Sequence, residues 1–307
     1  MTKNAINKSL RVIPSNDGKR YFKYPNKMPL LAGPPLLTLT GNEQSNGTVY
    51  SGSAGSRMTY NNTRSYTGTQ SIKLQLSQGQ PPATCGGSHA FGGRFDLPTL
   101  IPEGYNIWYR ARFYFPSTLP LGYNFATSDS AEATTCGKSA DGPGFFKFLV
   151  FAPDTGTARL YVMPPMQRRG FGLTQSNLHV NAESENTGDS TYSWTVPRDQ
   201  WFSLQVHVKV ASAATGGGFM RVWIDDQYIL QHSKSTLANS TYKIKEWGIG
   251  DYWNGVPWTD GQPSTTDSFW MDDVIIATDY TGYGAPQTVD SGGRPYISNA
   301  VTVAGLS

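Results

Sequence analysis

Residues 201–210, WFSLQVHVKV, alternate without interruption between apolar and polar positions. A strand with this pattern places Phe202, Leu204, Val206, Val208 and Val210 on one side, and Ser203, Gln205, His207 and Lys209 on the other. Imidazole is the side chain that most readily moves protons near neutral pH. A carboxamide two residues away orients hydroxyls, and an ammonium beyond it attracts anions. Other segments repeat the arrangement. In IWYRARFYF, Trp108, Arg110, Arg112 and Tyr114 alternate against Ile107, Tyr109, Ala111, Phe113 and Phe115. In FMRVWID, Arg221, Trp223 and Asp225 oppose Met220, Val222 and Ile224, and in ARLYVM, Arg159 and Tyr161 oppose Leu160 and Val162. Guanidinium groups pair with carboxylates or sulfates in a fixed fork, and indole faces stack on sugar rings. If these strands share one sheet, Trp108, Arg110, Arg112, Gln205, His207, Lys209, Arg221 and Trp223 form a floor suited to an anionic or cell-surface polysaccharide. The plainer reading is a solvated sheet surface, where Lys, Arg and Thr are common.

The elements that must position these groups are short. Segments 70–76, 106–115, 144–152, 158–163, 201–210, 218–230, 245–253 and 267–278 read as strands between clusters of Gly, Pro, Asn and Asp. Asp225 and Asp226 mark a tight hairpin turn within IDDQY. No stretch sustains helical spacing, and no 20–50-residue repeat argues for a propeller or solenoid. Aromatics at 13% with charged residues at only 15%, 33 Gly and 20 Pro, fit an all-β chain of 307 residues. The pattern predicts a sandwich of two antiparallel sheets over residues 41–283.

The ends differ from the middle. Residues 1–40 carry Lys3, Lys8, Arg11, Lys19, Arg20, Lys23 and Lys27 against the single acid Asp17, and residues 284–307 form a tail broken by Gly and Pro. An extended basic arm and a polar tail of this kind are expected to be held by neighbours in a homo- or hetero-oligomeric assembly. The net charge of +3 does not by itself imply nucleic acid. No apolar run is long enough to span a membrane, and the first residues lack the apolar segment of a secretory signal. Cys85 and Cys136 sit in matching Gly/Ser/Thr loops; they could pair outside a cell, but they match no zinc spacing.

The segment WFSLQVHVKVASAATGGGFMRVWIDDQYIL resembles the corresponding strands of heparin-lyase-type and related polysaccharide lyases. GIGDYWNGVPWTDGQPSTTDSFWMDDVIIATDY is similar to their closing strand, which ends in an aromatic-x-Asp-Asp-Val run. The resemblance covers residues 190–280 and implies a concanavalin A-like jelly-roll of two curved sheets. It also implies β-elimination next to a uronic acid, with Gln205, His207 and an arginine, Arg110 or alternatively Arg112, as the catalytic set and a tyrosine left open among Tyr114, Tyr161, Tyr228 and Tyr252. A structural calcium held by Glu43 and Asp272 or Asp273 is a further implication. The Arg-x-Glu-x-Arg and Tyr-Phe-Lys-Ala-Gly runs of alginate lyases are absent, as is the Glu-x-Asp-x-x-Glu of glucanases, which sets paired-carboxylate hydrolysis aside.

Two expectations follow. The first is a lectin-like jelly-roll on a virion surface, in a phage capsid or tail, meeting other virion proteins through residues 1–40 and 284–307. The second is an extracellular polysaccharide lyase acting on a uronate-containing polymer. Nucleic-acid binding through the arm lacks a domain motif to support it.

Overall fold

The computed structural model describes residues 12–14, 20–22, 31–39, 57–76, 93–119, 145–156, 159–163, 177–182, 190–254 and 267–301. Within them the chain forms strands and turns. In order these are β1 (Val12–Pro14), β2 (Arg20–Phe22), β3 (Leu37–Leu39), β4 (Arg57–Asn61), β5 (Ser71–Leu76), β6 (Gly93–Pro102), β7 (Asn106–Tyr114) and β8 (Phe145–Pro153). There follow β9 (Leu160–Met163), β10 (Asn177–Ala182), β11 (Ser190–Ser193), β12 (Trp201–Lys209), β13 (Phe219–Ile224), β14 (Gln227–His232), β15 (Lys243–Asn254) and β16 (Asp267–Thr278). Strands β1 and β2 pair as a separate ribbon.

The rest build two antiparallel sheets. One runs β14-β13-β12-β7-β16-β5-β4, with β3 joining β16, and the other runs β11-β10-β9-β8-β15-β6. This is the two-sheet sandwich the strand pattern predicts, and it fits the jelly-roll the resemblance implies. Residues 37–39, at the end of the expected N-terminal arm, pair with Ile276, Ile275 and Val274 and so belong to the sandwich.

Period-two alternation decides which side chains meet between the sheets. Ile107, Tyr109, Ala111 and Phe113 from β7 join Phe202, Leu204, Val206 and Val208 from β12 in one core, and Leu149, Phe151, Trp247 and Ile249 answer from the other sheet. At its centre the Phe113 and Phe148 rings lie 4.7 Å apart, with Phe115, Phe202 and Phe269 around them. Removing one such ring typically costs about 3–5 kcal/mol.

Strand β16 changes phase midway. Phe269 and Met271 point into the core at odd positions, and Val274 and Ile276 at even ones. The register shifts between Asp272 and Ile275, where Asp273 has φ 49°. This bulge absorbs one residue and turns both Asp272 and Asp273 away from the apolar interior. The hairpin turn between β13 and β14 holds Asp225 and Asp226 at φ 48° and 67°, the left-handed geometry that Asp tolerates better than most residues. Strand β6 carries Pro98 at the sheet edge, where a missing N–H breaks no ladder. Among the described residues no helix is long and apolar enough to cross a membrane.

Candidate functional site

The register aligns the groups singled out in the sequence. Gln205 stands opposite Arg110 on one side and Trp223 on the other; His207 stands opposite Trp108 and Arg221; Lys209 stands opposite Asn106 and Phe219. Trp108, Arg110, Arg112, Gln205, His207, Lys209, Arg221 and Trp223 therefore share the outer face of the eight-stranded sheet.

That face is not open. Residues 285–301 run across it. The Trp108 indole donates to the Pro295 carbonyl at 3.1 Å, Arg112 Nη2 to the Asn299 carbonyl at 3.2 Å, and the Trp223 indole to Asp290 Oδ2 at 3.0 Å. Tyr296 stacks on Trp223, and Ile297 and Val301 close an apolar patch with Leu31, Trp108, Ile275 and Ala277. Leu31 forms an isolated bridge with Pro286. Arg110 and Trp223 are 0% exposed, Gln205 1% and His207 3%. The expectation of an exposed sugar platform on these residues fails for a physical reason: the indoles and guanidiniums that would grip a saccharide grip the chain's own C-terminal segment. Only Lys209 and Arg221 reach the rim. Lys209 donates to the Gly104 carbonyl, while Arg221 lies over the Phe219 ring and donates to Gln231 Oε1 at 2.6 Å.

The protonation states agree with a covered face. Asn106 donates its backbone N–H and its Nδ2 to Asp279, which orients its Oδ1 to accept from His207 Nε2 at 3.0 Å. His207 is thus the Nε2–H tautomer, stacked on Trp108 with ring centroids 4.6 Å apart. Burial, and after it the charges of Arg221 and Lys209, push its pKa down to about 3. An imidazole this weakly basic is a poor proton acceptor near neutral pH. Gln205 is also committed, its Nε2 donating to Asp226 Oδ1 at 2.7 Å and to Ser203 Oγ at 3.0 Å. Burial, and next Arg112, lower the pKa of Arg110 to about 10, so it remains charged at neutral pH.

The outer side of the six-stranded sheet carries a different set. Tyr161 lies between the core residues Leu160 and Val162 and is buried outside the core cluster, as are Val150 and Ala152. Its strand neighbours in register are Asn181 and Val150. Arg159 Nη1 stands 3.5 Å from the Tyr161 hydroxyl. Farther along the sheet, Arg94 meets Glu246 at 3.7 Å, and Lys245 meets Asp96 at 3.3 Å and Glu246 at 3.4 Å. This side therefore combines a phenol, guanidiniums and carboxylates, and Arg94, Arg159, Lys245 and Glu246 are only partly buried.

A family-level comparison matches residues 37–275 to a family described as polysaccharide lyase. The chain belongs to that polysaccharide lyase family. Among solved structures, the endo-β-1,4-glucuronan lyase of the fungus Trichoderma reesei is similar at 13% identity, with 83% of this chain and 100% of that one covered and a TM-score of 0.51. An alginate lyase, Aly36B, in a doubly substituted form bound to alginate tetrasaccharide, matches at 12% identity over 80% of this chain and 97% of its own, with a TM-score of 0.47. A marine alginate lyase from Aplysia kurodai matches at 10% identity over 80% and 99%, also with a TM-score of 0.47. The comparison with curated proteins found no match.

The corner of this lyase-family chain expected to hold calcium is occupied by protein donors. Asp272 Oδ2 accepts the N–H groups of Tyr66 and Thr67 at 2.7 and 3.1 Å, and its Oδ1 accepts that of Asp273. Asp273 Oδ1 accepts from the Thr67 hydroxyl at 2.6 Å. Among the described residues no group of three or more His, Cys, Asp or Glu could hold a metal ion. Glu43, Cys85 and Cys136 lie outside the described residues. The sequence reading joined Arg159 and Tyr161 to the same surface as His207. The register places their strand in the other sheet, which alternation alone cannot reveal.

Proposed function

We propose that this chain is a lyase that cleaves a uronate-containing polysaccharide by β-elimination, outside the cell where such polymers occur. The carrying observation is the family match over residues 37–275. The eight-stranded face is covered by residues 285–301, so this reading turns to the outer side of the six-stranded sheet, where Arg159 is partly exposed and Tyr161 lies buried beside it.

The chemistry needs three things. A cation must neutralise the sugar carboxylate so that the C5 proton becomes acidic, a base must remove that proton, and an acid must protonate the C4 oxygen as its bond to carbon breaks. The C5–H electron pair becomes the C4–C5 double bond, and the C4–O pair leaves with the departing sugar. In this reading Tyr161 exchanges the protons, and Arg159, whose Nη1 lies 3.5 Å from the Tyr161 oxygen, supplies the cation that faces the developing negative charge. Each role matches the charge and hydrogen-bonding capacity of its side chain. His207, Gln205 and Arg110 act instead as structural residues under the C-terminal segment.

The test is incubation of the full chain with glucuronan, alginate and heparin-like polymers, following the ultraviolet absorbance of the conjugated double bond. Product formation that survives His207→Gln and is lost in a folded Tyr161→Phe variant supports the reading. Absence of product on every uronate polymer would sink it. The virion placement expected from the chain's ends finds no support among the matched proteins.

A further inference from the structure

The interface between the eight-stranded sheet and the C-terminal segment contains polar groups that neither side satisfies. Arg110 is fully buried, and its Nε, Nη1 and Nη2 meet no hydrogen-bond acceptor. Arg112 Nε is in the same position, since the nearest carboxylate oxygen, Asp273 Oδ2, stands 3.8 Å away, too far for a hydrogen bond. Three buried oxygen acceptors lack donors: Gln205 Oε1, Asp273 Oδ2 and Asn299 Oδ1.

These groups are neighbours. Gln205 is the register partner of Arg110, and Arg112 is two residues along the same strand. Asn299 accepts from Arg112 through its carbonyl and donates its backbone N–H to Asp226, the carboxylate that also binds Gln205. Orphaned donors and orphaned acceptors therefore converge between three neighbouring strands, β12, β7 and β16, and one tail residue. Buried polar groups are seldom left unpaired in this number.

We propose that these groups hold bound water, which links the guanidiniums of Arg110 and Arg112 to Gln205, Asp273 and Asn299. Two features select water over a small anion. The orphan set contains both donors and acceptors, and a water molecule can accept from a guanidinium while donating to an amide or carboxylate oxygen. An anion would satisfy only the N–H groups and would repel the three oxygens. The charge is also already balanced, because Arg110 and Arg112 face Asp226 and Asp273, both within electrostatic range of Arg110. The site has one wall in the family-matched region and its roof, Asn299, beyond residue 275, so the bound water mortars the C-terminal segment onto the sandwich. The assignment is independent of any catalytic activity.

The experiment is a crystal structure of the full chain grown or soaked in bromide, with anomalous data collected at the bromine edge. The expected result is density at hydrogen-bond distance from Arg110 and from Gln205 Oε1 or Asn299 Oδ1, without an anomalous peak. An anomalous peak at that density would make the site an anion site and overturn the proposal. So would a direct contact of the Arg110 guanidinium with Asp226 or Asp273 that leaves no room for solvent.

Discussion

The phenol ring of Tyr296 lies parallel to the indole of Trp223, with ring centroids 5.5 Å apart and an interplanar angle of 12°. The indole N–H is held by Asp290, whose carboxylate also accepts from Arg294 Nε at 2.8 Å and from the backbone N–H groups of Gly292 and Arg294. Burial alone would raise the Asp290 pKa, yet these donors bring it down to about 2. A tight turn in the C-terminal segment thus presents one carboxylate and one aromatic ring to a single tryptophan of the sheet. Tyr296→Ala should lower unfolding stability by about 2–4 kcal/mol, while Tyr296→Phe should change it by less than ~1 kcal/mol. Urea denaturation of the three proteins measures the difference.

The hairpin turn makes a second prediction. Asp226 sits at φ 67° and accepts from Gln205 Nε2 and the Asn299 N–H, tying β12 to the C-terminal segment. Asp226→Gly relieves the backbone strain but loses both bonds, so it should still destabilise, by about 1–3 kcal/mol. Asp225→Asn keeps a side-chain oxygen for the Ser203 N–H, bonded at 2.8 Å, and should fall within ~0.5 kcal/mol of the parent. Equal losses in both variants would refute the distinction.

These arrangements show how far the sequence could be read. Alternation assigned the inward and outward sides of β7, β12 and β13 correctly, because side-chain direction in a strand follows a period of two with few exceptions. The Asp-Asp turn was equally legible. The covering of that outer face was not. Trp, Arg, Gln and His in file serve a bound sugar and a folded-back peptide equally well, since both offer apolar faces and carbonyl or carboxylate oxygens. The bulge at Asp273 was visible only as a change of phase, from Phe269 and Met271 to Val274 and Ile276. The membership of Tyr161 and Arg159 in the second sheet depended on long-range pairing that no local pattern encodes.

A pH prediction follows from His207. Its folded pKa of about 3 lies below the ordinary value of 6.5. Between those values the unfolded chain binds the extra proton, so this group costs stability progressively as pH falls from 6.5 towards 3, by up to about 1.4 kcal/mol per pH unit. Asp272 works in the opposite direction. Burial raises its pKa from 3.8 to about 6, so the folded chain takes up its proton first, and the penalty is relieved as pH falls through 6. The two nearly cancel between pH 4 and 6 in the parent protein. In His207→Gln the Asp272 effect should stand alone, and stability relative to the parent should rise as the solution is acidified. Denaturant midpoints at pH 7, 6, 5 and 4 check this; parallel curves would show that His207 does not titrate as its surroundings imply.

The sharpest contrast lies between the two sheet faces. Tyr161 and His207 are both buried, and each is adjacent to a cationic side chain, Arg159 in one case and Arg221 in the other. His207 lies under a segment of this chain whose bonds are accounted for by Pro295, Asn299 and Asp290, so its replacement acts on stability. If elimination takes place on the six-stranded side, Tyr161→Phe removes one hydroxyl and should reduce kcat by about 10²–10⁴-fold, the range a positioned proton-transfer group supplies. Because Phe retains the ring and its packing, the unfolding midpoint should move by less than ~1 kcal/mol. Replacing Arg159 with Lys keeps the charge but loses the planar fork, so it should retain part of the activity that Arg159→Ala loses. Equal loss in Arg159→Lys and Arg159→Ala would assign that residue to packing rather than to charge. A Tyr161→Phe enzyme with parental kcat would move the reaction off this face altogether.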